Sequence, residues 1–414
     1  MARILFAWEL GAGYGHLGGF LPMALKLRER GHEVVFALRD LSKFETFLGR
    51  HAFVPLQAPV WLPEAPTFAP AVSYSEMLFR FGFLDLDGLT TMLKAWRELL
   101  RLVRPDLTIV DHGPTALLAT RWLKLRRAVF GTGFASPPRL RPMPSFRSWA
   151  DVAPQRLVDS EQRVLEVVNQ TLARLGGAPL DAIADLFDVD EDFLCTFPEL
   201  DPYPQRAGAR YWGPVWTRDH GTTADWPVGR GPKIFVYLLP TYGNVEKVLA
   251  RLAELPCRSL VHVPRLSMAA SRRSFSSNVT FCDTPVRMES VLAECDLMLC
   301  HAGHGTVAQA LLAGRPLMLI PFQTEQLLTA RRVVNECKAG TMVHPDSKSP
   351  NYRQLIRDAL DGAYAHEAQA FARKYSDFNS HEQMEAIATR CEELLDSQRL
   401  SRSSRLAGAG GHKS

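Results

Sequence analysis

The sequence predicts an α/β protein of two doubly wound, Rossmann-like parallel-sheet domains. Short apolar runs alternate with helical stretches along most of the chain, the pattern of strand–helix–strand units. The alternation runs twice, on either side of a polar, glycine-rich stretch at 217–231. Each series also holds an apolar run that passes straight into a glycine turn and a helix start, first at Gly11–His16 and again at His301–Thr306. A length of 414 residues suits two such domains and exceeds one compact core.

In order, Ile4 to Trp8 reads as a buried parallel strand and Gly11-Ala12-Gly13-Tyr14-Gly15-His16 as its loop. A helix follows through Leu21, Ala24, Leu25 and Leu27, with Gly31 as its C-cap, and Glu33 to Phe36 is the next strand. Phe53 to Leu56 is a third. Residues 58–70 are proline-rich and irregular. The apolar stretch from Tyr74 to Arg104 reads as helical core, its second half clearly amphipathic, with Phe79 and Phe83 as candidates to line a ligand. Leu107 to Val110 is a buried strand closed by Asp111-His112-Gly113-Pro114. A helix over 115–125, a short strand over 128–130, a proline-rich loop over 136–154 and a helix over 155–175 complete the first series.

The second series starts at Lys233. Strands fit 234–238, 259–263, 279–282, 297–300 and 317–320, a helix fits 245–255, and helical pattern runs from Tyr352 to about Ser397. The expected division is a first domain over 1–216, a linker over 217–231 and a second domain over 232–375. A C-terminal helix over 376–400 should pack back on the first domain, and 401–414 should be a disordered tail.

Composition excludes several classes. Net charge is +4, from 48 basic and 44 acidic side chains, and the arginine pairs are scattered, so no nucleic-acid track is present. The seven cysteines form no CxxC pair and no cluster with histidine at metal spacing, so no metal site is expected. Reduced, buried thiols, no signal-peptide core and no apolar run of membrane-spanning length make a cytoplasmic protein the expectation.

Gly13-Tyr14-Gly15-His16-Leu17-Gly18 matches the dinucleotide fingerprint in letters, with Asp40 downstream, which raises an NAD or FAD oxidoreductase. The acidic residue should end the second strand, where Phe36 and Ala37 stand instead. His16 is more informative. If the strand order is 3-2-1-4-5, the first strand neighbours the one ending at Val110, and His16 comes within reach of Asp111. A histidine oriented by a carboxylate can deprotonate a hydroxyl. Alternatively, each caps its own helix, and His112 competes with His16 for the role. In the second series, backbone N–H groups converge at Gly303, His304, Gly305 and Thr306, the physical recipe for holding a phosphate.

The N-terminal Gly-x-Gly-His, the run Arg30-Gly31-His32-Glu33-Val34 and the segment 285–326 together resemble the nucleotide-sugar-dependent glycosyltransferases of the two-Rossmann-domain (GT-B) fold. The plant natural-product, UDP-glucuronosyl and bacterial macrolide transferases are the nearest in pattern. The resemblance covers about 1–400 and is most specific over 285–326. It implies two domains facing a cleft, a UDP- or dTDP-sugar as co-substrate and no cofactor. By resemblance His301 stands at the pyrophosphate-contacting histidine, and Gly303, Gly305 and Thr306 at the phosphate-holding positions. The same likeness puts Val286 where backbone meets the nucleobase, Glu325 and Gln326 where the sugar hydroxyls are bound, His16 at the catalytic base and Asp111 at its partner. There are departures. Gln309 replaces a glutamate that grips the ribose, leaving UDP and dTDP both open, and Glu325 replaces an aspartate. The loop after Leu238 reads Leu-Pro-Thr-Tyr-Gly, so Thr241 or Tyr242 could meet the donor phosphate.

The resulting expectation is an inverting, metal-independent glycosyltransferase that carries a sugar to a hydroxyl of a small acceptor. The apolar 74–104 stretch with Phe134, Phe146 and Trp149 points to an apolar or aromatic acceptor, with Tyr14, Phe79, Phe83 and Phe134 as candidate contacts. Rival readings are a sugar-nucleotide epimerase of the same architecture and a non-catalytic nucleotide-sugar binder. Sugar, acceptor and oligomeric state are open.

Overall fold

A computed structural model describes residues 1–11, 15–64, 66–217, 221–223, 225–264 and 276–409, the side chains of 43, 46, 47 and 397–409 aside. The chain forms two units. Unit 1 is Met1–Thr196, Tyr203–Trp216 and Asn379–Ser414, and unit 2 is Phe197–Pro202 and Thr217–Phe378.

Unit 1 holds strands β1 (Arg3–Trp8), β2 (Glu33–Leu38), β3 (Val54–Gln57), β4 (Leu107–Asp111), β5 (Arg127–Gly131) and β6 (Glu191–Leu194). Their order is β3-β2-β1-β4-β5-β6, all parallel. The helices are α1 (Gly15–Glu29), α2 (Phe44–Phe47), α3 (Tyr74–Leu78), α4 (Leu86–Val103), α5 (Pro114–Trp122) and α6 (Pro154–Arg174). Both sheet faces are covered, so β1 is apolar from Ile4 to Trp8 but splits by pleat. Leu5 and Ala7 enter the core beneath α4, α5 and α6, while Ile4, Phe6 and Trp8 enter the one beneath α1. α4 shows how sequence sets an element. Leu89, Leu93, Trp96, Leu100 and Val103 recur at helical spacing and are buried, and Asp85 starts the helix by accepting Gly88 N–H at 2.7 Å.

Unit 2 repeats the plan with β7 (Lys233–Tyr237), β8 (Arg258–His262), β9 (Val279–Phe281), β10 (Leu297–Cys300), β11 (Leu317–Leu319) and β12 (Gly340–Met342), in the order β12-β11-β10-β7-β8-β9. Its helices are α7 (Val245–Ala253), α8 (Met288–Glu294), α9 (His304–Leu312), α10 (Thr324–Arg332), α11 (Tyr352–Ala359) and α12 (Gly362–Lys374). A last helix, α13 (Ser380–Ala409), belongs to unit 1. It packs along α1, burying Met384, Ile387, Ala388, Cys391, Leu394 and Leu395 beside Phe6 and Phe20. Lys26 on α1 and Arg30 just past its end meet Glu385 at 2.7 and 2.5 Å.

The two sheets match the doubly wound reading, and the differences have local causes. The long helical pattern after Tyr352 is cut into α11, α12 and α13. Asp361 accepts Ala363 N–H at 2.8 Å and Asn379 accepts His381 N–H at 2.9 Å, each restarting a helix. α13 continues to Ala409, past residue 400 where a tail was expected. Residues 197–202, assigned to the first domain from sequence, group with unit 2. Phe197 packs its ring 3.9 Å from Tyr375 and 5.4 Å from Phe371, and Arg332 donates to the Glu199 carbonyl at 2.8 Å. In the expected linker, Thr222 pairs with unit 2, its N–H donating to Pro285 O at 2.9 Å. Among the described residues no helix is long and apolar enough to cross a membrane.

Candidate functional site

In unit 1 the site forms where β1 and β4 end. Trp8 and Asp111 are register partners, so Asp111 sits beside the start of the loop that leads to α1. His16 is the second residue of α1, and its Nδ1 lies 2.6 Å from Asp111 Oδ2. An ionised carboxylate only accepts, so the shared proton sits on Nδ1 and Nε2 carries the lone pair. Both side chains are mostly buried, at 15% and 11% exposure, which strengthens the pairing. Trp8 stacks on the His16 ring at 5.0 Å. Gly11 has φ +89, and a Cβ there would lie 2.6 Å from His16 Nε2, so only glycine lets this loop pass the imidazole.

His112 follows with φ +47 and is buried. Its ring lies 6.2 Å from His16, 6.3 Å from Tyr74 and 6.0 Å from Phe134. Burial, and then the neighbouring His16 and Arg39, push its imidazole down to about 3. It is neutral under ordinary conditions and is a poor choice for the base.

The candidate acceptor contacts divide. Phe134 is brought to the dyad's neighbourhood, edge-on to His112 and 5.8 Å from Phe146. Phe83 is a correction. It is fully buried among the side chains under α4, because the tight turn before α4 folds it inward, and it has no surface to offer a ligand. Phe79 is half-buried, packed on Phe68 at 5.6 Å beneath the Arg163 guanidinium. Tyr14 lies outside the described residues. Asp40, the acidic residue of the dinucleotide reading, instead accepts Ser42 N–H at 2.9 Å and caps the turn after β2.

In unit 2, β11, β10 and β7 are adjacent, so the loops after them meet at one edge. β10 turns through His301 and Ala302, whose φ is +59, into α9 with Gly303 at the N-cap. Gly303 has no side chain to cap the helix. The N–H groups of His304, Gly305 and Thr306 precede the first intrahelical bond, Val307 N–H to Gly303 O at 3.0 Å, and point outward with the positive end of the helix dipole. Burial pushes His304 down to about 4, so it stands there uncharged.

His301 differs from expectation. Its Nδ1 lies 2.8 Å from Ile320 O, to which it donates, and its Nε2 accepts Leu239 N–H at 2.9 Å. Both nitrogens are taken by backbone, and burial lowers its pKa. The ring therefore has no N–H left for a pyrophosphate; it ties the loops after β7 and β11 to its own. Tyr242 and Phe322, which sequence reasoning did not single out as a pair, flank it at 5.4 and 4.6 Å.

The other donor candidates also have measurable partners. Gln309 donates from Nε2 to Gly305 O at 3.1 Å, which leaves its carbonyl as an acceptor. Gln326 accepts Phe322 N–H at 3.1 Å and Gln323 N–H at 3.3 Å through Oε1, so its amide N–H groups are what it can offer a ligand. Glu325 is half-buried on the first turn of α10, Thr241 is exposed in the loop after β7, and Val286 is buried beside the Thr222 bridge. Among the described residues no group of three or more His, Cys, Asp or Glu converges as a metal site.

Residues 264–388 match the glycosyltransferase family 28 C-terminal domain. A PGL/p-HBAD biosynthesis glycosyltransferase of Mycobacterium tuberculosis (strain ATCC 25177 / H37Ra) is 25% identical over 411 residues, covering 92% of this chain and 91% of that one. Among solved structures, CalG4, the calicheamicin glycosyltransferase, superposes with a TM-score of 0.69 at 21% identity, over 95% of this chain and 98% of its own. The glycosyltransferase VinC, solved with dTDP, gives 0.66 at 16% identity, over 94% and 100%. The fold is that of the GT-B glycosyltransferases.

Proposed function

We propose that this chain, a nucleotide-sugar glycosyltransferase of the GT-B type, moves a sugar from a UDP- or dTDP-sugar to a hydroxyl of a small apolar or aromatic acceptor, with inversion. The observation that carries the reading is the His16–Asp111 pair at 2.6 Å. His16 Nε2 takes the proton of the acceptor hydroxyl, and Asp111 stabilises the imidazolium that forms. The freed oxygen bonds to the anomeric carbon from the face opposite the diphosphate. The bond from that carbon to the phosphate oxygen breaks, and its electron pair leaves with the nucleoside diphosphate.

The departing charge is met by the N–H groups at the start of α9, aided by its dipole. This is electrostatic work, and in this reading it replaces a bound cation. Phe134 and its ring neighbours support an apolar acceptor. For the donor, the accepting carbonyl of Gln309 suits a ribose hydroxyl, and the dTDP bound to VinC keeps dTDP beside UDP.

His16→Ala tests the assignment. Transfer should fall by at least about 1,000-fold, the scale of losing an essential base, while UDP or dTDP binding by calorimetry is retained. Unchanged turnover would refute it. The same enzyme given nucleotide sugar without acceptor should leave it intact; conversion to an epimer would move the assignment to a sugar-nucleotide epimerase.

A further inference from the structure

Glu9 has no role in the scheme above, yet it is the least expected residue in unit 1. The apolar strand β1 ends in Trp8 and is followed directly by this carboxylate, which is only 2% exposed. Burial of that kind costs several kcal/mol unless the group is satisfied. Glu9 is satisfied by a helix that is not its own. Its Oε2 accepts Thr115 N–H at 3.1 Å and its Oε1 accepts Ala116 N–H, both in the first turn of α5.

α5 needs that help because of its own sequence. Its N-cap is Gly113, with no side chain to bond back, and its first residue is Pro114, with no N–H. The orphan donors of the first turn must find an acceptor elsewhere. Gly113 cannot be exchanged for a capping serine or aspartate without cost. A Cβ there would lie 2.7 Å from Val110 Cγ1 and 3.4 Å from Glu9 Oε1. The cap has therefore moved from the N-cap residue to the end of the neighbouring strand.

One further bond makes the same join, and another holds Glu9 to the end of β2. Leu10 N–H donates to His112 O at 2.9 Å, and Arg39 holds the Glu9 carbonyl at 3.2 Å. His16 opens α1 just after the β1–α1 loop and Asp111 ends β4 just before the β4–α5 loop, so the Glu9 and Leu10 bonds set the two segments against each other. We propose that Glu9 is a positioning residue of the transfer reaction: by capping α5 from β1 it fixes the distance and angle between His16 and Asp111.

The inference rests on the dyad reading, and the experiment keeps their failures apart. The proton shared by His16 and Asp111 should give a one-dimensional ¹H resonance well downfield of the amides, lost in His16→Ala and Asp111→Asn. Its absence from the wild-type protein would count against the dyad itself. Turnover is followed with UDP-glucose or dTDP-glucose and the phenol 4-methylumbelliferone. Measured above pH 8, where the Glu9 carboxyl is ionised, Glu9→Gln keeps the shape but turns an N–H₂ toward one of the two N–H donors, so one bond is lost. The resonance should move upfield and kcat should fall about 10- to 100-fold, the scale of a displaced catalytic group. KM for the nucleotide sugar should stay within about twofold, since its cradle is in unit 2. Glu9→Ala, where it folds, should be worse on both readouts. An unmoved resonance with unchanged kcat in folded Glu9→Gln would overturn the proposal. So would a loss of activity with the resonance in place, which would leave Glu9 a stability residue only.

Discussion

Replacing His112 with asparagine tests the charge state at the centre of unit 1. The position has φ +47, which Asn adopts more readily than most residues, so the exchange keeps the backbone and removes an ionisable ring. In the folded protein burial, and then the neighbouring His16 and Arg39, push His112 down to about 3, against an ordinary 6.5. Between those values the unfolded chain binds a proton that the folded chain refuses. Acid therefore favours unfolding: the stability is present above about 6.5 and is lost as pH falls toward 3. At about 1.4 kcal/mol per pH unit, the fall from pH 7 to 5 costs about 2 kcal/mol. Glu9 runs the other way. Burial raises it to about 8, so it grows less unfavourable in acid, by a similar amount, and would mask the histidine in the wild type alone. Both proteins contain it, and it cancels in the difference. Urea unfolding at pH 5 to 8, followed by tryptophan fluorescence, gives the comparison, since of the eight tryptophans only Trp226 lies in unit 2. Wild type should lose about 2 kcal/mol more than His112→Asn between pH 7 and 5. The packing lost with the ring moves the intercept and not the slope. A flat difference, or one that grows in favour of the wild type in acid, would refute the reasoning.

Two other substitutions address the frame around the dyad. Gly11→Ala should cut kcat by at least about tenfold in a folded protein, because a left-handed Ala costs about 1–2 kcal/mol and its Cβ falls 2.6 Å from His16 Nε2; full turnover would show that the loop can give way. Ile387→Ala, on the fully buried face of α13, should destabilise unit 1 by about 2–4 kcal/mol in urea, with the nucleotide affinity of unit 2 unchanged. A smaller shift than about 1 kcal/mol would mean that α13 is an accessory and not part of the core.

Most of the fold is legible because parallel strands buried on both faces carry near-continuous apolar runs, and Ile4–Trp8 of β1, Ile109–Val110 of β4, Ile234–Tyr237 of β7 and all of β10 supply them. The meeting of His16 with Asp111 is legible too. It needs only the strand order of a doubly wound sheet and the rule that ligands gather at its switch point. What escapes the sequence depends on partners far along the chain. Phe197 looks like the end of a first-domain strand, and only its contacts with Phe371 and Tyr375 place it in unit 2. β12 is three residues long, too short for any period to show. Phe83 has the composition of a ligand contact and the environment of a core residue, and pattern alone does not separate them.

His301 shows the same limit inside the site and points to how both sites are built. Its residue type says phosphate, while its two bonds go to Leu239 and Ile320, 62 and 19 positions away. Glu9 likewise reads as a stray carboxylate until the first turn of α5, more than a hundred residues on, is set beside it. The two residues do the same physical job. Loops at the C-terminal edge of a parallel sheet leave N–H and C=O groups that the ladder does not use, and these must be satisfied where water is scarce. In each unit one buried polar side chain, following the strand, accepts from a neighbouring loop. In the proposed reaction the groups that meet substrate are the Nε2 of His16 in unit 1 and the N–H groups of α9 in unit 2. Their geometry is set before any ligand arrives, which is the condition for electrostatic stabilisation to cost no reorganisation during the reaction. In the proposed reaction the tie and the contact are separate residues, so a strand-end polar side chain is weak evidence of ligand contact until its own hydrogen bonds have been traced.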